Sequence, residues 1–268
     1  MTDPFTPIEI AAAGARAAVL PYGAHVTSWV APNGEEQLYL SARTAYAAGK
    51  AVRGGVPVIF PQFSDLGPLP KHGFARTRAW AVVRQAPNET ALALRDDDAT
   101  RALWPHAFAT ELSAALDGGA LVVTLAVENT GDAPFAFTGA LHTYLRVDDV
   151  ADVTLDGLGG VTYRDATVGG VERRDDAAAL RIVGEVDRVY LDVPNAVTVR
   201  EPGRTRTVSA EGFRDVVVWN PGAERAAALA DLDPDGWRHF VCVEAAAARP
   251  VTVAPGARWA GRQRLVAR

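Results

Sequence analysis

Residues 107–150, AFATELSAALDGGALVVTLAVENTGDAPFAFTGALHTYLRVDDV, carry the clearest structural pattern in the chain. Apolar and polar side chains alternate along three segments, which are separated by turn residues at Gly118-Gly119 and at 130–132. Alternation with a period of two is typical of strands that are buried on one face, and tight turns join such strands in antiparallel order. The stretch therefore predicts consecutive antiparallel β-strands.

The last of these segments also places a titratable side chain on a defined face. Counting by twos puts Phe137 and Leu141 on one face and Thr138, Ala140 and His142 on the other. Small neighbours leave room for a ligand beside the His142 imidazole. The alternative is that His142 is a buried imidazole with all its hydrogen bonds satisfied, and the pattern alone leaves both interpretations open.

The rest of the chain follows the same plan of short strands and frequent turns. Residues 8–29 read as two or three strands, and Asn33-Gly34 is a strong signal for a hairpin turn. Residues 41–50 are predicted to form a short helical turn, and residues 221–240 are the best helix candidate. Many short strands with turns every 8–12 residues indicate an all-β fold, a large antiparallel β-sandwich or barrel with a few short helices.

Length and composition limit the classes of protein. We expect one domain over residues 1–268, because all-β domains of about 200–250 residues are common and no linker interrupts the sequence. A net charge of −5 argues against nucleic acid as a partner. No apolar run is long enough to span a membrane, and no secretory signal is recognisable, so we expect a cytoplasmic protein. The lone Cys242 excludes an internal disulfide framework.

A second stretch, residues 53–80, RGGVPVIFPQFSDLGPLPKHGFARTRAW, combines basic side chains with many glycines and prolines. Glycine and proline disfavour a long helix, so the stretch reads as loop, short strand and loop. One interpretation is a surface loop whose basic side chains are solvated. The other is a wall of a ligand site that receives an anion.

The motifs that the chain lacks leave acid–base catalysis as the expected chemistry. The chain has no CxxC, HxH, HExxH, GxSxG or glycine-rich phosphate loop, so neither a metal site nor a nucleotide cofactor is expected. Glu244 ends the apolar run of residues 240–243, where burial would raise its pKa into the range useful for proton transfer. Its alternative role is an ion pair with an arginine. Asp187, between apolar neighbours, is either a partner of Arg188 or an acceptor for hydroxyl groups.

Six segments together resemble a known family. They are RGGVPVIFPQF (53–63), HGFARTRAW (72–80), HTYLRVDDV (142–150), EVDRVY (185–190), VVWNP (217–221) and FVCVEAA (240–246). In this order and spacing the chain resembles the glucose-6-phosphate 1-epimerase branch of the aldose 1-epimerase, or galactose-mutarotase-like, superfamily. The resemblance covers nearly the whole chain and implies a β-supersandwich that needs no metal or cofactor.

The resemblance also implies roles for the acid and the base. The histidine of HTYL, His142, would be the general acid, and the glutamate of CVEA, Glu244, would be the general base. Together they would open and reclose the sugar ring and so interconvert its α and β anomers.

Five further residues are implied to bind the substrate. Arg53 and Arg76 would contact it, His72 would line the pocket and Asp187 would hold sugar hydroxyls. Lys71 occupies a position where relatives often carry glutamine, and it would pair with a phosphate.

The predicted function is therefore anomer exchange of D-glucose 6-phosphate and other hexose 6-phosphates. We expect this small molecule to be the partner of a monomeric protein. Two alternatives are a mutarotase for unphosphorylated aldoses and a non-catalytic carbohydrate-binding β-sandwich, with Trp80 or Trp219 as a stacking platform.

Overall fold

The computed structural model describes residues 3–268, and most of its regular secondary structure is β-strand. In chain order the strands are β1 (Ile8–Ala12), β2 (Ala15–Leu20), β3 (His25–Val30), β4 (Val58–Ile59), β5 (Ala81–Ala86), β6 (Glu89–Arg95), β7 (Phe108–Asp117), β8 (Ala120–Asn129), β9 (Phe135–Leu141), β10 (Tyr144–Arg146), β11 (Thr154–Asp156), β12 (Thr162–Asp165), β13 (Val171–Arg174), β14 (Ala179–Arg181), β15 (Val186–Tyr190), β16 (Val197–Glu201), β17 (Arg204–Glu211), β18 (Asp215–Asn220), β19 (Phe240–Val253) and β20 (Arg258–Ala267).

Helices are short. The α-helices are α1 (Asp98–Leu103) and α2 (Gly222–Ala226), and single 3₁₀ turns span Ala75–Thr77, Val150–Asp152, Ala166–Val168 and Gly236–His239. The helix candidate at residues 221–240 is confirmed as α2 and the last of these turns. No helix in the described part of the chain is long and apolar enough to cross a membrane.

Two large antiparallel sheets form the body of the molecule. The first has the order β13-β12-β15-β18-β19-β9-β4, with β10 also paired to β19, and the second has the order β14-β11-β16-β17-β20-β8-β7-β6-β5. A small third sheet contains β1, β2 and β3. The main hydrophobic core joins apolar side chains of both large sheets, for example Phe137 and Val243 with Leu112 and Leu125. The predicted large antiparallel β-sandwich is confirmed; that it forms one domain stays a prediction.

The hairpin of β7 and β8 shows why the sequence folds in this way. Alternate residues of β7 are buried along its whole length, and β8 pairs with it in continuous register from Phe108–Asn129 to Asp117–Ala120. Gly118 and Gly119 make the turn with positive φ angles of 56° and 85°. A side chain at Gly119 would also lie 2.5 Å from the Pro32 ring, so glycine is required there.

The helical turn predicted at residues 41–50 is wrong, because the segment forms turns without helix. Its backbone forms isolated turns and pairs with residue 53 instead, where the Ser41 N–H donates to the Arg53 carbonyl at 3.0 Å. The Ser41 hydroxyl accepts from the backbone N–H of Arg43 at 3.2 Å, and the Thr44 hydroxyl accepts from that of Arg53 at 2.7 Å. Local side-chain acceptors of this kind compete with helix formation. They fasten the segment to Arg53.

Candidate active site

One face of the first large sheet carries two rows of side chains, each running across neighbouring strands. In one row Val189 pairs with Val217 and Val217 with Glu244. Cross-strand partners project on the same side of a sheet, so this row continues over β15, β18 and β19. Val189, Val217 and Glu244 all line one cleft of about 600 Å³.

The second row lies two residues away on the same strands and therefore on the same face. Asp187 pairs with Trp219, Trp219 with Cys242, and Cys242 with Tyr144 of β10. Asp187, Trp219 and Tyr144 line the cleft, whereas Cys242 is fully buried in the row between them.

His142 lies between the end of β9 and the start of β10 and extends the first row. β9 pairs Leu141 with Ala245, and β10 pairs Tyr144 with Cys242, in the same register. His142 lies in the gap and is therefore opposite Glu244, with its Nε2 3.2 Å from Glu244 Oε1. The structure thus brings together two residues that are a hundred positions apart.

The pair is buried, and its hydrogen bonding is incomplete. His142 is 8% exposed and Glu244 is 1% exposed. The His142 ring stacks on Tyr144 at 4.9 Å between centroids and meets the edge of His72 at 5.7 Å. Among the described residues, His142 Nδ1 and Glu244 Oε2 have no hydrogen-bond partner. Buried polar atoms are seldom left unpaired, so these atoms are available to a ligand. The sequence alternatives of a satisfied imidazole and of a glutamate paired with arginine are both wrong.

Burial disfavours charge on both members of the pair. It raises the pKa of Glu244 well above its usual range. It lowers the pKa of His142 well below its usual range, and the charges of Arg76 and Arg53 lower it further. The uncharged state, a protonated carboxyl beside a neutral imidazole, is therefore favoured. Transfer of one proton across the short contact converts it into a carboxylate and an imidazolium.

Arg53 is anchored from two sides. Its Nε and Nη2 donate to the two carboxylate oxygens of Asp231 at 3.2 and 3.1 Å, and its Nη1 donates to the Tyr144 hydroxyl at 3.0 Å. Gly55 follows with a positive φ of 62°, and a side chain there would come within 2.2 Å of the Val26 carbonyl oxygen. Arg53 thus holds the ring on which His142 stacks, and its own charge is compensated.

Residues 62–76 form the opposite wall of the cleft. The Gln62 side chain bonds the backbone N–H and carbonyl of Leu69 at 2.9 and 3.0 Å and so closes the loop. His72 Nδ1 accepts from the Ser64 N–H at 3.3 Å, which leaves the rest of the ring facing His142. Burial holds the pKa of His72 far below its usual range, so the ring is neutral.

Two cations of this wall lack a carboxylate partner. They are Lys71 and Arg76. Among the described residues, no carboxylate oxygen lies within 4.0 Å of the Lys71 ammonium or the Arg76 guanidinium, and Arg76 donates to the Lys71 carbonyl at 3.0 Å. Arg164 and Arg225 also line the cleft, but they pair with Glu172 at 3.1 Å and with Glu185 at 3.2 Å. The uncompensated positive charge of the cleft is therefore concentrated at Lys71 and Arg76.

Asp187 faces the cleft rather than its sequence neighbour. Arg188 points away and pairs with Asp175 at 3.1 Å, so the Asp187–Arg188 pairing is wrong. Desolvation raises the pKa of Asp187 to about 6. Its carboxylate has no salt-bridge partner among the described residues and can accept from ligand hydroxyls.

All seven residues singled out from the sequence line this one cleft: Arg53, Lys71, His72, Arg76, His142, Asp187 and Glu244. Sequence reasoning missed Tyr144 and Cys242, although each stands two positions from a predicted acid–base residue, the spacing of one strand face. It also missed Asp231, for which the sequence carries no comparable signal. The solvated-loop interpretation of residues 53–80 is wrong at Arg53, which is paired and only partly exposed.

Comparison with known proteins assigns the whole chain to a family. Residues 7–266 match the family model described as aldose 1-epimerase. The chain belongs to the aldose 1-epimerase family and is a sugar epimerase, a kind of isomerase.

Individual relatives of this chain carry a more specific description than the family model does. A protein of the grass Cenchrus ciliaris described as "Putative glucose-6-phosphate 1-epimerase" is 37% identical over 92% of this chain and 79% of the relative. One from Salmonella typhimurium with the same description is 35% identical over 83% of this chain and 76% of the relative. The crystal structure of a Salmonella typhimurium protein, described as a putative mutarotase, superimposes with a TM-score of 0.86 at 32% identity, over 94% of this chain and 87% of that one.

Proposed function

We propose that this epimerase interconverts the α and β anomers of D-glucose 6-phosphate and other hexose 6-phosphates, with His142 as the acid and Glu244 as the base. The observation that carries the proposal is the buried His142–Glu244 contact of 3.2 Å in a cleft where, among the described residues, Lys71 and Arg76 have no carboxylate partner. The descriptions of the relatives support the same substrate. The cleft volume of about 600 Å³ is within the usual range for small-molecule sites.

Ring opening needs one proton removed and one proton added. The Glu244 carboxylate takes the proton of the C1 hydroxyl while the His142 imidazolium protonates the ring oxygen, and the ring opens to the aldehyde. Rotation about the C1–C2 bond presents the other carbonyl face. Reclosure reverses both transfers, so each residue serves once as acid and once as base.

The electrostatics of the pair favour the open-chain stage. After ring opening Glu244 is protonated and His142 is neutral, which is the uncharged state that burial favours. The change of charge that accompanies ring opening is therefore favourable for the pair itself, which helps to lower the barrier to this step. Positioned acid–base groups typically contribute about 10²–10⁴-fold, which suits a reaction that also proceeds slowly in water.

Lys71 and Arg76 supply the proposed preference for a phosphorylated sugar. A guanidinium suits bidentate contacts to phosphate, and Lys71 adds a mobile charge at the exposed rim. Arg53 contributes through the remaining N–H groups of a guanidinium already held by Asp231.

A phosphate bound at Lys71 and Arg76 also offsets the charge of Arg76, which otherwise lowers the pKa of His142. Substrate binding would therefore favour the imidazolium.

Asp187 and Trp219 complete the proposed sugar site. Asp187 would accept hydrogen bonds from hydroxyl groups, and Trp219 would cover one face of the ring. Trp80 is unsuited to stacking, because it is 4% exposed and its indole N–H donates to the Ala75 carbonyl at 3.0 Å.

Magnetisation-transfer NMR on equilibrated glucose 6-phosphate, with free glucose and galactose as comparisons, tests the proposal. The protein should accelerate exchange between the anomers of glucose 6-phosphate far more than that of the free sugars. Arg76→Ala should lower kcat/KM for the phosphorylated sugar by about 10–100-fold, the value of a charged hydrogen bond, and change the free sugars little. Arg225→Ala is the matched control, because its cation is already paired with Glu185. Equal effects of Arg76→Ala on both kinds of sugar would contradict a phosphate role.

A further inference from the structure

Cys242 lies beside the acid–base pair and has no part in the proposed reaction. Donor atoms of His142, Cys242 and Glu244 all lie within 4.8 Å of one another. We propose that these three side chains form a binding site for a thiophilic divalent cation such as Zn²⁺, and that the bound cation inhibits the epimerase. The binding stands on geometry alone, whereas the inhibition rests on the proposed function.

The spacing of the donors suits zinc. In a tetrahedral site, Zn–N and Zn–O distances of about 2.0 Å and a Zn–S distance of about 2.3 Å place neighbouring ligand atoms about 3.3–3.6 Å apart. His142 Nε2 and Glu244 Oε1 are already 3.2 Å apart. The thiol therefore needs to approach by only about 1 Å, a distance that side-chain rotation can supply.

The strand holds two of the three donors in place. Cys242 and Glu244 stand two residues apart on β19, on the face that forms the cleft, and are 0% and 1% exposed. Glu244 Oε2 and His142 Nδ1 have no hydrogen-bond partner among the described residues, so ligation would cost few existing hydrogen bonds. Imidazole, thiolate and carboxylate are all zinc ligands. Three protein donors leave a fourth position for water or a substrate oxygen.

Binding has a simple proton balance. The cation replaces the Cys242 thiol proton and the proton shared by His142 and Glu244, and both protons leave to solvent. No oxidant or further reactant is needed. With the carboxylate and the imidazole both ligated, neither can transfer a proton to or from the sugar, so anomer exchange stops.

Binding is tested first without sugar, on the full chain. Titration with Co²⁺, a spectroscopic substitute for Zn²⁺, should give the absorption of a thiolate-to-cobalt charge transfer, and Zn²⁺ should displace it. Cys242→Ala should remove that band and weaken Zn²⁺ binding, measured by calorimetry, by more than about 100-fold. Cys242→Ser provides a second variant if the alanine variant does not fold. His106→Ala, at a histidine outside this cleft, should leave the band in place.

Inhibition is tested separately, by measuring anomer exchange of glucose 6-phosphate with increasing Zn²⁺. Each variant is compared with its own metal-free rate, and Cys242→Ala should resist Zn²⁺ concentrations that stop the parent protein. Absence of the charge-transfer band, or equal Zn²⁺ affinity in Cys242→Ala, would overturn the site. Binding without loss of exchange would overturn the inhibition. A protein inactive even without metal would instead contradict the proposed function and leave the binding result standing.

Discussion

Two buried pairs of ionisable residues in this protein differ in how completely their carboxyl groups are hydrogen-bonded. The Arg206 and Glu201 side chains are each 1% exposed. Glu201 Oε1 accepts from Arg206, with Nη1 at 2.6 Å, and its Oε2 accepts from the Asp148 N–H at 2.8 Å. His142 and Glu244 are buried to a similar degree, but Glu244 Oε2 has no partner among the described residues, whereas in the other pair the atom without a partner is Arg206 Nε.

The difference separates a structural pair from one that is free to act as the proposed acid and base. A carboxylate with both oxygens occupied has no capacity left for a ligand, and it ties β16 to β17 and to the loop at Asp148. A carboxyl with a free oxygen at the wall of a cleft can exchange a proton with whatever enters. Burial alone therefore does not identify a functional acid; a buried carboxyl oxygen that faces a cleft and has no hydrogen-bond partner does so better.

The largest expected effect is on catalysis at the incompletely bonded pair. His142→Ala or Glu244→Gln should lower kcat for anomer exchange by about 10²–10⁴-fold, because a proton donor or acceptor is lost. The melting temperature should not fall for Glu244→Gln, since an amide avoids the desolvation of a carboxylate. NMR exchange and thermal denaturation measure the two quantities. A normal exchange rate in either variant would sink the acid–base assignment.

The Arg206–Glu201 pair should instead affect stability and leave catalysis unchanged. Arg206→Ala should lower the free energy of unfolding by about 3–5 kcal/mol, because Glu201 is left buried without its cation. The kcat of the protein that remains folded should not change. Denaturant titration measures the loss, and the double variant Glu201→Gln with Arg206→Met should recover much of it. A stability loss below about 1 kcal/mol would show that the pair is not the structural anchor described here.

Asp187 is another acid of the cleft without an ion-pair partner among the described residues, and the pH dependence of the free energy of unfolding tests its desolvation. Its pKa is raised to about 6 in the folded protein, against an ordinary value of 3.8, so its ionisation costs the folded state stability as pH rises from about 4 through 6. Asp187→Asn should therefore be more stable than the parent by about 1–3 kcal/mol at pH 8 and nearly equal to it below pH 4. The KM for glucose 6-phosphate should rise, because the amide offers the sugar hydroxyls one neutral acceptor oxygen in place of a charged carboxylate. Equal stability at both pH values would mean that the carboxylate is well solvated.

The smallest effect is expected at the support beneath His142. Tyr144→Phe removes the hydroxyl that accepts from Arg53 at 3.0 Å but keeps the ring that stacks on the imidazole. A loss of about 1 kcal/mol in kcat/KM, roughly five- to tenfold, is the ordinary value of such a hydrogen bond. Tyr144→Leu, which also removes the stack, should cost more and should shift the pH profile of kcat. Identical losses in both variants would show that the ring does not position His142.

The sequence predicted the residues of the cleft better than their partners. Asp187 was placed correctly at the cleft, but its suggested ion pair with Arg188 was wrong, because adjacent residues of a strand point to opposite faces and Arg188 meets Asp175 instead. Arg53 was predicted to contact substrate, yet most of its donors hold Asp231 and Tyr144. These partners are distant in the chain, so neither the periodicity nor the local motifs of one sequence indicate that they pair.

By itself, the sequence determined the strand pattern, because side-chain alternation along residues 107–150 follows directly from the pleat of a strand. The turn glycines and the family motifs followed from local chemistry in the same way. Only the tertiary structure decided that β9 and β10 pair with β19 in one register, which sets His142 opposite Glu244. It also decided which cations are neutralised: Asp231 pairs with Arg53, while Lys71 and Arg76 stay unpaired among the described residues. Register and charge pairing depend on contacts between distant segments, and those contacts exist only once the sheets have packed.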